Sequence, residues 1–278
     1  MDVTHAIDTA TDALRSCHVL LITAGAGMGV DSGLPDFRGD QGFWKAYPPI
    51  AKLGISFVDM ANPYWFEKDP ALAWAFYGHR LNLYRKTVPH KGFGLLLKIC
   101  EQLEIDYFVF TSNVDGQFQK AGFNADKVVE CHGSINHFQC KRPCSRQIWS
   151  AEDIRVDVDE MLFIARDPLP RCPYCGSLAR PNILMFGDWN WVADRTDVQQ
   201  QQLNSWLADI IDDKKQLVII ELGAGEAVAT VRYTSENISG RLQARLIRIN
   251  PRDYDVPEGQ IGLAMGAADG IEQIVKNL

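Results

Sequence analysis

Two groups of residues in this chain have types and spacings that bear directly on chemistry. Glycines stand at positions 25, 27 and 29 of the run Gly25-Ala-Gly-Met-Gly-Val-Asp-Ser-Gly-Leu-Pro-Asp-Phe-Arg38. Glycine lets the backbone approach a ligand with no Cβ in the way, and amides at the start of a helix favour an anion, so the run suits a pyrophosphate. An ordinary dinucleotide fold would also carry an acidic residue at the end of the next strand, about 20 residues on, to hold the ribose. Here Asp36-Phe37-Arg38-Gly39 and an aromatic loop fill that place, which disfavours a standard dehydrogenase. The second group is two short-spaced cysteine pairs, Cys140-Lys-Arg-Pro-Cys144 and Cys172-Pro-Tyr-Cys175. Each pair sets two thiolates in a tight knuckle, and two knuckles complete a Cys₄ zinc site. A redox pair and unliganded thiols are the alternatives. Four protein thiolates leave no position for water, so the zinc reading makes the metal structural.

The elements that must hold these groups follow from the apolar pattern. Ala6, Ala10, Ala13 and Leu14 have the spacing of an opening amphipathic helix. His18–Thr23 reads as a short buried strand running straight into the glycine run, and strand, glycine turn and helix open a nucleotide-binding βαβ unit. Further buried-strand candidates are 107–111, 127–131, 182–186, 217–222 and 244–249, and helical patterns cover 91–102, 194–212 and 267–278. Short apolar strands alternating with helices predict an α/β fold, a Rossmann-like parallel sheet with helices on both faces. Residues 48–88, rich in aromatics, and 134–179, with the four cysteines and several prolines, interrupt the alternation. The expected organisation is a Rossmann-like domain from 1–47, 89–133 and 180–278, with a smaller helical and zinc-ribbon module from 48–88 and 134–179.

Composition narrows the function. Of 278 residues, 46 % are apolar and 23 % charged, an ordinary globular balance. A formal net charge of −7 repels phosphate backbones, so nucleic acid is not an expected partner. No run approaches the roughly 20 apolar residues needed to span a bilayer, and the first residues lack the basic flank and apolar core of a secretory signal. The expected location is the cytoplasm. Seven cysteines, an odd number, fit a reducing compartment where metal or free thiols come before disulfides. Cys17, Cys100 and Cys131 lie beside or within apolar elements and read as packing residues.

The glycine run resembles the sirtuin (Sir2) signature Gly-Ala-Gly-x-Ser-x-x-Ser-Gly-Ile-Pro-Asp-Phe-Arg, with Gly29 for the first serine and Leu34 for the isoleucine. Thr111-Ser-Asn-Val-Asp-Gly116 is similar to the family's Thr-Gln-Asn-Ile-Asp, Glu130-Cys-His-Gly133 to its His-Gly, and Arg180-Pro-Asn-Ile-Leu-Met-Phe-Gly-Asp188 to its Arg-Pro-x-Val-Val-x-Phe-Gly-Glu. The matches arrive in the family's order and span residues 18 to about 250. The resemblance implies an NAD-dependent protein lysine deacylase that releases nicotinamide and O-acyl-ADP-ribose. In the family mechanism the acyl oxygen attacks the ribose C1′, nicotinamide leaves, and an activated ribose hydroxyl then attacks the acyl carbon. The resemblance makes His132 the general base, and a neutral imidazole can accept a proton from a ribose hydroxyl at cell pH. It places Asn113 and Asp115 at the nicotinamide side, and Gly25, Ala26, Gly27, Asp36, Ser112 and Gly223 around NAD. Phe37 and Arg38 would sit on a loop closing over it, and Asn250 would bind the adenine-side ribose.

The resemblance also bears on the acyl substrate. Phe186, Gly187 and Asp188 correspond to the segment that pairs with the substrate peptide as an added strand. Tyr77 and Arg80 are three apart on an expected helix and so share a face. Family members that remove succinyl or malonyl groups carry Tyr-x-x-Arg there, where phenol and guanidinium bind a distal carboxylate. Asp40 would repel that carboxylate, so acetyl and acidic acyl groups remain alternatives. The chain departs from the family at Gly29, Ser112 and Met185, at Leu222–Val228, where threonine and serine hydroxyls are lost, and at Val231–Glu236, which has no counterpart. None of these removes Asn113, Asp115 or His132. An NAD hydrolase or mono-ADP-ribosyltransferase on the same scaffold is the alternative activity; a module that senses NAD without turning it over is a further one.

Overall fold

The structure, a computed structural model, describes residues 2–35 and 39–278, without the side chains of residues 39–41. Eleven strands lie among the described residues: β1 (Val19–Ala24), β2 (Asp106–Thr111), β3 (Val128–Glu130), β4 (Gly133–Cys140), β5 (Ile148–Ser150), β6 (Val158–Asp159), β7 (Ile164–Ala165), β8 (Ala179–Ile183), β9 (Leu217–Leu222), β10 (Arg245–Ile249) and β11 (Ile261–Leu263). Six form one sheet in the order β11-β10-β9-β1-β2-β3, every pair parallel. Numbered along the chain within this sheet, that is the 3-2-1-4-5-6 order of a doubly wound dinucleotide fold.

Alternation along the central strands explains the two-sided cover. Leu20 and Ile22 of β1 and Val218 and Ile220 of β9 join a core with the helices Val3–Arg15, Lys91–Gln102 and Ala267–Asn277. Val19, Leu21 and Ile219 point the other way, into a core with the helices Asp194–Asp212 and Thr230–Leu242. With both faces buried, these strands read as continuous apolar runs rather than alternating ones.

The smaller module has its own core. Its centre is the helix Pro70–Lys86, started by Pro70 and capped where the Asp69 carboxylate accepts from the Leu72 amide at 3.0 Å. Trp74, Phe76 and Tyr77 are buried on it against Phe43, Tyr47, Phe66 and Phe138. The three-stranded antiparallel sheet β5-β4-β8 closes this core. No helix among the described residues is long and apolar enough to cross a membrane.

One expectation needs correction. The strand expected at 182–186 lies at 179–183 and pairs antiparallel with β4 instead of joining the parallel sheet. Beyond it, exposure alternates from Ile183 (6 %) and Leu184 (39 %) to Met185 (5 %) and Phe186 (38 %). The run is apolar because it lines a cleft, and a short apolar run does not say which sheet it belongs to. Phe43 and Tyr47, from the segment before residue 48, bury their rings in the core of the smaller module. Strand β11 had no separate signal, being three residues long with a glycine at its middle.

Candidate active site

Strand order reverses between β1 and β9, and open parallel sheets bind ligands beyond the carboxyl ends of their strands at such a switch point. A cleft of about 600 Å³ opens there, its large-domain wall carrying Gly25, Ala26, Gly223, Ala224 and Gly225. The turns after β1 and β9 are pressed together: the Gly27 amide donates to the Gly223 carbonyl at 3.0 Å. Gly223 has φ +58, and a Cβ there would fall 2.4 Å from the Met28 nitrogen, so only glycine fits. Gly27 thus braces the turn and is not among the residues lining the cleft.

Ser112, Asn113 and Asp115 line the same cleft from the loop after β2. The Asn113 backbone amide donates to Thr111 Oγ1 and its side-chain Nδ2 to the Gly25 carbonyl, both at 3.0 Å, which ties this loop to the glycine turn. The Asp115 carboxylate accepts from the Gln117 amide at 2.9 Å. Burial pushes its pKa up to about 6; the Gln117 amide opposes this, the Glu130 carboxylate adds to it and the Arg80 guanidinium opposes it. Glu130 is itself buried and paired with Arg195 at 2.5 Å.

His132 lies between β3 and β4 on the cleft wall, with its carbonyl accepting from the Leu184 amide at 2.9 Å. Burial lowers the pKa of its ring below the ordinary 6.5, against a hydrogen bond from the ring to the Ser112 backbone. Gly133 follows because the chain must turn with φ +78, where a Cβ would lie 2.1 Å from the Asn182 carbonyl oxygen. Gly133 is therefore required by the geometry of the turn that follows His132.

Tyr77 and Arg80 also reach the cleft, and both are buried. Arg80 Nε donates to the Tyr84 hydroxyl at 3.0 Å, and its guanidinium lies 5.2 to 5.9 Å from the ring centres of Phe76, Tyr84 and Tyr77. The Tyr77 hydroxyl is buried with no hydrogen-bond partner among the described residues. Phe186, Gly187 and Asp188 line the cleft mouth. The Asp188 carboxylate turns inward, where it is fully buried and paired with Arg180, and it accepts from the Asn190 amide at 3.2 Å. Its direct partners are thus protein groups, and it holds the shape of the segment expected to meet the peptide.

Asn250 does not line the cleft. It is fully buried, with Nδ2 donating to the Ala224 carbonyl at 2.8 Å and Oδ1 accepting from the amides of Arg252 and Asp253 at 3.0 and 3.1 Å. Its side chain supports the second glycine turn through the Ala224 carbonyl. Asp36, Phe37 and Arg38 lie outside the described residues, as does the side chain of Asp40.

The four cysteines Cys140, Cys144, Cys172 and Cys175 come together with all sulfurs within 4.8 Å of one another. Two separations, Cys140–Cys175 and Cys144–Cys172, are 3.7 Å. A tetrahedron with Zn–S bonds of about 2.3 Å has an edge of roughly 3.8 Å, so the donor set and its spacing suit a closed structural zinc site.

Sequence reasoning missed several cleft residues. Tyr84 had a signal, four residues beyond Arg80 on one helix face; Trp189 and Val228 had none, because a single apolar residue at a cleft mouth has no pattern. The unplaced segment 231–236 is explained by packing. Val231 lines the cleft, Ser235 Oγ bonds Thr23 Oγ1 at 2.8 Å, and Glu236 pairs at 2.7 Å with the buried Arg248, which also pairs with Glu221.

Comparison with known proteins gives a consistent result. The model of the Sir2 family matches residues 25–207. An NAD-dependent protein deacylase of Caldanaerobacter subterraneus is 32 % identical over 177 residues, covering 64 % of each chain. An NAD-dependent protein deacetylase of Saccharolobus solfataricus is 35 % identical over 179 residues, again covering 64 % of each. The alignments thus span a little under two thirds of the length of these relatives. Among solved structures, a Sir2 homologue in complex with NAD superposes with a TM-score of 0.71 at 25 % identity, over 97 % of this chain and 92 % of that one. A Sir2 homologue mutant bound to ADP-ribose gives 0.71 at 25 % identity, over 97 % and 95 %.

Proposed function

The chain belongs to the Sir2 family, and on that premise we propose that it is an NAD-dependent protein lysine deacylase that yields nicotinamide and O-acyl-ADP-ribose. The observation that carries this reading is the meeting of His132, Asn113 and Asp115 in one cleft with the paired glycine turns at the strand-order reversal.

The cleft fits NAD in its chemistry. The wall formed by residues 25, 26, 223, 224 and 225 carries no side chain larger than a methyl group, which leaves room and backbone amides for phosphates. Ser112, Asn113 and Asp115 supply polar groups farther along the same cleft. When bound, NAD supplies an electrophilic ribose carbon, nicotinamide as leaving group and a ribose hydroxyl to receive the acyl group. Asn113, tied to the Gly25 carbonyl, keeps the nicotinamide-side loop in register with the phosphate-side turn. His132 takes the proton from the ribose hydroxyl. Burial keeps its ring neutral at pH 7, the form able to accept that proton. Leu184, Phe186 and Val228, partly exposed and lining the cleft, offer the acyl-lysine an apolar passage.

The acyl group has two readings. Tyr77 and Arg80 on the cleft floor favour a carboxylate-bearing acyl chain, because among the described residues Arg80 is the one guanidinium or ammonium group lining the cleft and the Tyr77 hydroxyl has no hydrogen-bond partner. An acetyl group needs neither. The proposed protein partner is an acylated-lysine segment, and the proposed location is the cytoplasm, whose reducing state suits seven cysteines with no disulfide among them.

Nicotinamide release from NAD, measured with no peptide and with acetyl- or succinyl-lysine peptides, tests the reading alongside His132→Ala. Release that requires an acyl-peptide and vanishes in the variant supports deacylation and ranks the two acyl groups. Release indifferent to peptide moves the activity to NAD hydrolysis or ADP-ribosyl transfer, and no release in any mixture leaves only NAD binding.

A further inference from the structure

Trp189 is 96 % exposed, an unusual setting for the largest apolar side chain, and it lies on the rim of the catalytic cleft. Its backbone is held from both sides. Before it, Asp188 is anchored to Arg180 in a fully buried ion pair; after it, the Asn190 amide donates to Asp188 at 3.2 Å and the Asn190 carbonyl accepts from Gln139 Nε2 at 2.7 Å. A rigid loop therefore presents a free indole face to solvent beside the opening through which the acyl-lysine enters.

The surroundings say what that face can bind. Next to the turn at Gly187 lies Asn62, which with Asp59 and the half-exposed Tyr64 lines an open groove of about 360 Å³. Val228, another residue lining the cleft, stands two residues from Glu226, whose 69 % exposed side chain lies 3.8 Å from the Arg232 guanidinium. Rings border the mouth and the Asp59 carboxylate lines the groove, and among the described residues lining the cleft or the groove the lone guanidinium or ammonium is Arg80, buried at the floor. One ring–cation pairing already exists beside the groove, with Lys68 Nζ 5.4 Å from the Tyr64 ring centre and 5.1 Å from that of Trp65.

We infer that Trp189 is a specificity-determining residue that stacks on a lysine or arginine side chain flanking the acyl-lysine of the protein substrate. A desolvating aromatic face favours a cation over an acidic or neutral neighbour, the Asp59 carboxylate in the adjoining groove adds to that preference, and tryptophan is among the residue types enriched at binding hot spots. The inference rests on the deacylase reading, from which it takes the position of the acyl-lysine.

Two peptides identical except for arginine or glutamate beside the acetyl-lysine test it, with wild type, Trp189→Ala and Trp189→Phe. Fluorescence anisotropy of the labelled peptides gives Kd, and nicotinamide release gives kcat/KM. The expected result is a preference of wild type for the arginine peptide that falls roughly three- to thirtyfold in Trp189→Ala, mostly through Kd and KM, and is partly kept by phenylalanine. A preference ratio that Trp189→Ala leaves unchanged, or a wild type with no preference, overturns the inference. Absence of turnover by wild type counts against the deacylase reading instead, and the binding ratio still decides the part played by Trp189.

Discussion

Asp115→Asn is expected to stabilise the protein while it slows nicotinamide release. Burial lifts the Asp115 carboxyl from its ordinary 3.8 to about 6, so the folded chain holds this proton more tightly than the unfolded chain does. Stability must then fall as pH rises between about 4 and 6, and the loss persists at every higher pH. Converted at 1.36 kcal/mol per pH unit, the cost at pH 8 is about 3 kcal/mol. Asparagine has nearly the same shape and can still accept from the Gln117 amide, but carries no charge to desolvate. For a chain of this size a gain of that order raises the melting temperature by roughly 5 to 10 °C. Thermal melts followed by circular dichroism from pH 4 to 8, at constant ionic strength, read the difference directly. The gain should be full at pH 8 and shrink to under about 1 kcal/mol at pH 4. A variant no more stable than wild type at pH 8, or one with the same gain at both ends, would refute the reasoning.

Other substitutions probe the parts that hold the site. Asp188→Asn leaves the fully buried Arg180 without its counter-charge and should cost about 3–5 kcal/mol in urea unfolding; a loss below about 1 kcal/mol would mean that the pair contributes little. Cys172→Ser should lower the zinc content measured by atomic absorption from about one per chain, with loss of melting stability, because the metal joins two distant segments of the small module. For kcat/KM, the acid limb should lie at or below pH 6.5, since burial holds the His132 pKa below its ordinary value and Asp115 ionises near 6. A limb above pH 7 would exclude a neutral, buried His132 as the base.

The sequence by itself determined what depends on local chemistry and on period. Continuous apolar runs of strand length, alternating with 3.6-period helices, specify a sheet covered on both faces, and the helices 91–102 and 194–212 occur at the bounds their patterns imply. Cysteine spacing named the two knuckles because each closes within a few residues. Residues such as Gly133 and Gly223 could be noticed, but their reason could not, since the backbone atoms a Cβ would strike lie far away in the chain. Only the tertiary structure decided which sheet receives the 179–183 strand, that Asn250 faces inward under a glycine turn, and that Asp188 is consumed by Arg180. It alone also placed Trp189 in the open beside the cleft. Burial, and with it the raised carboxyl of Asp115 and the lowered imidazole of His132, comes from segments converging from across the chain. A pattern that reads one segment at a time records what each residue is able to do; what it is left free to do is set by the neighbours that folding brings to it.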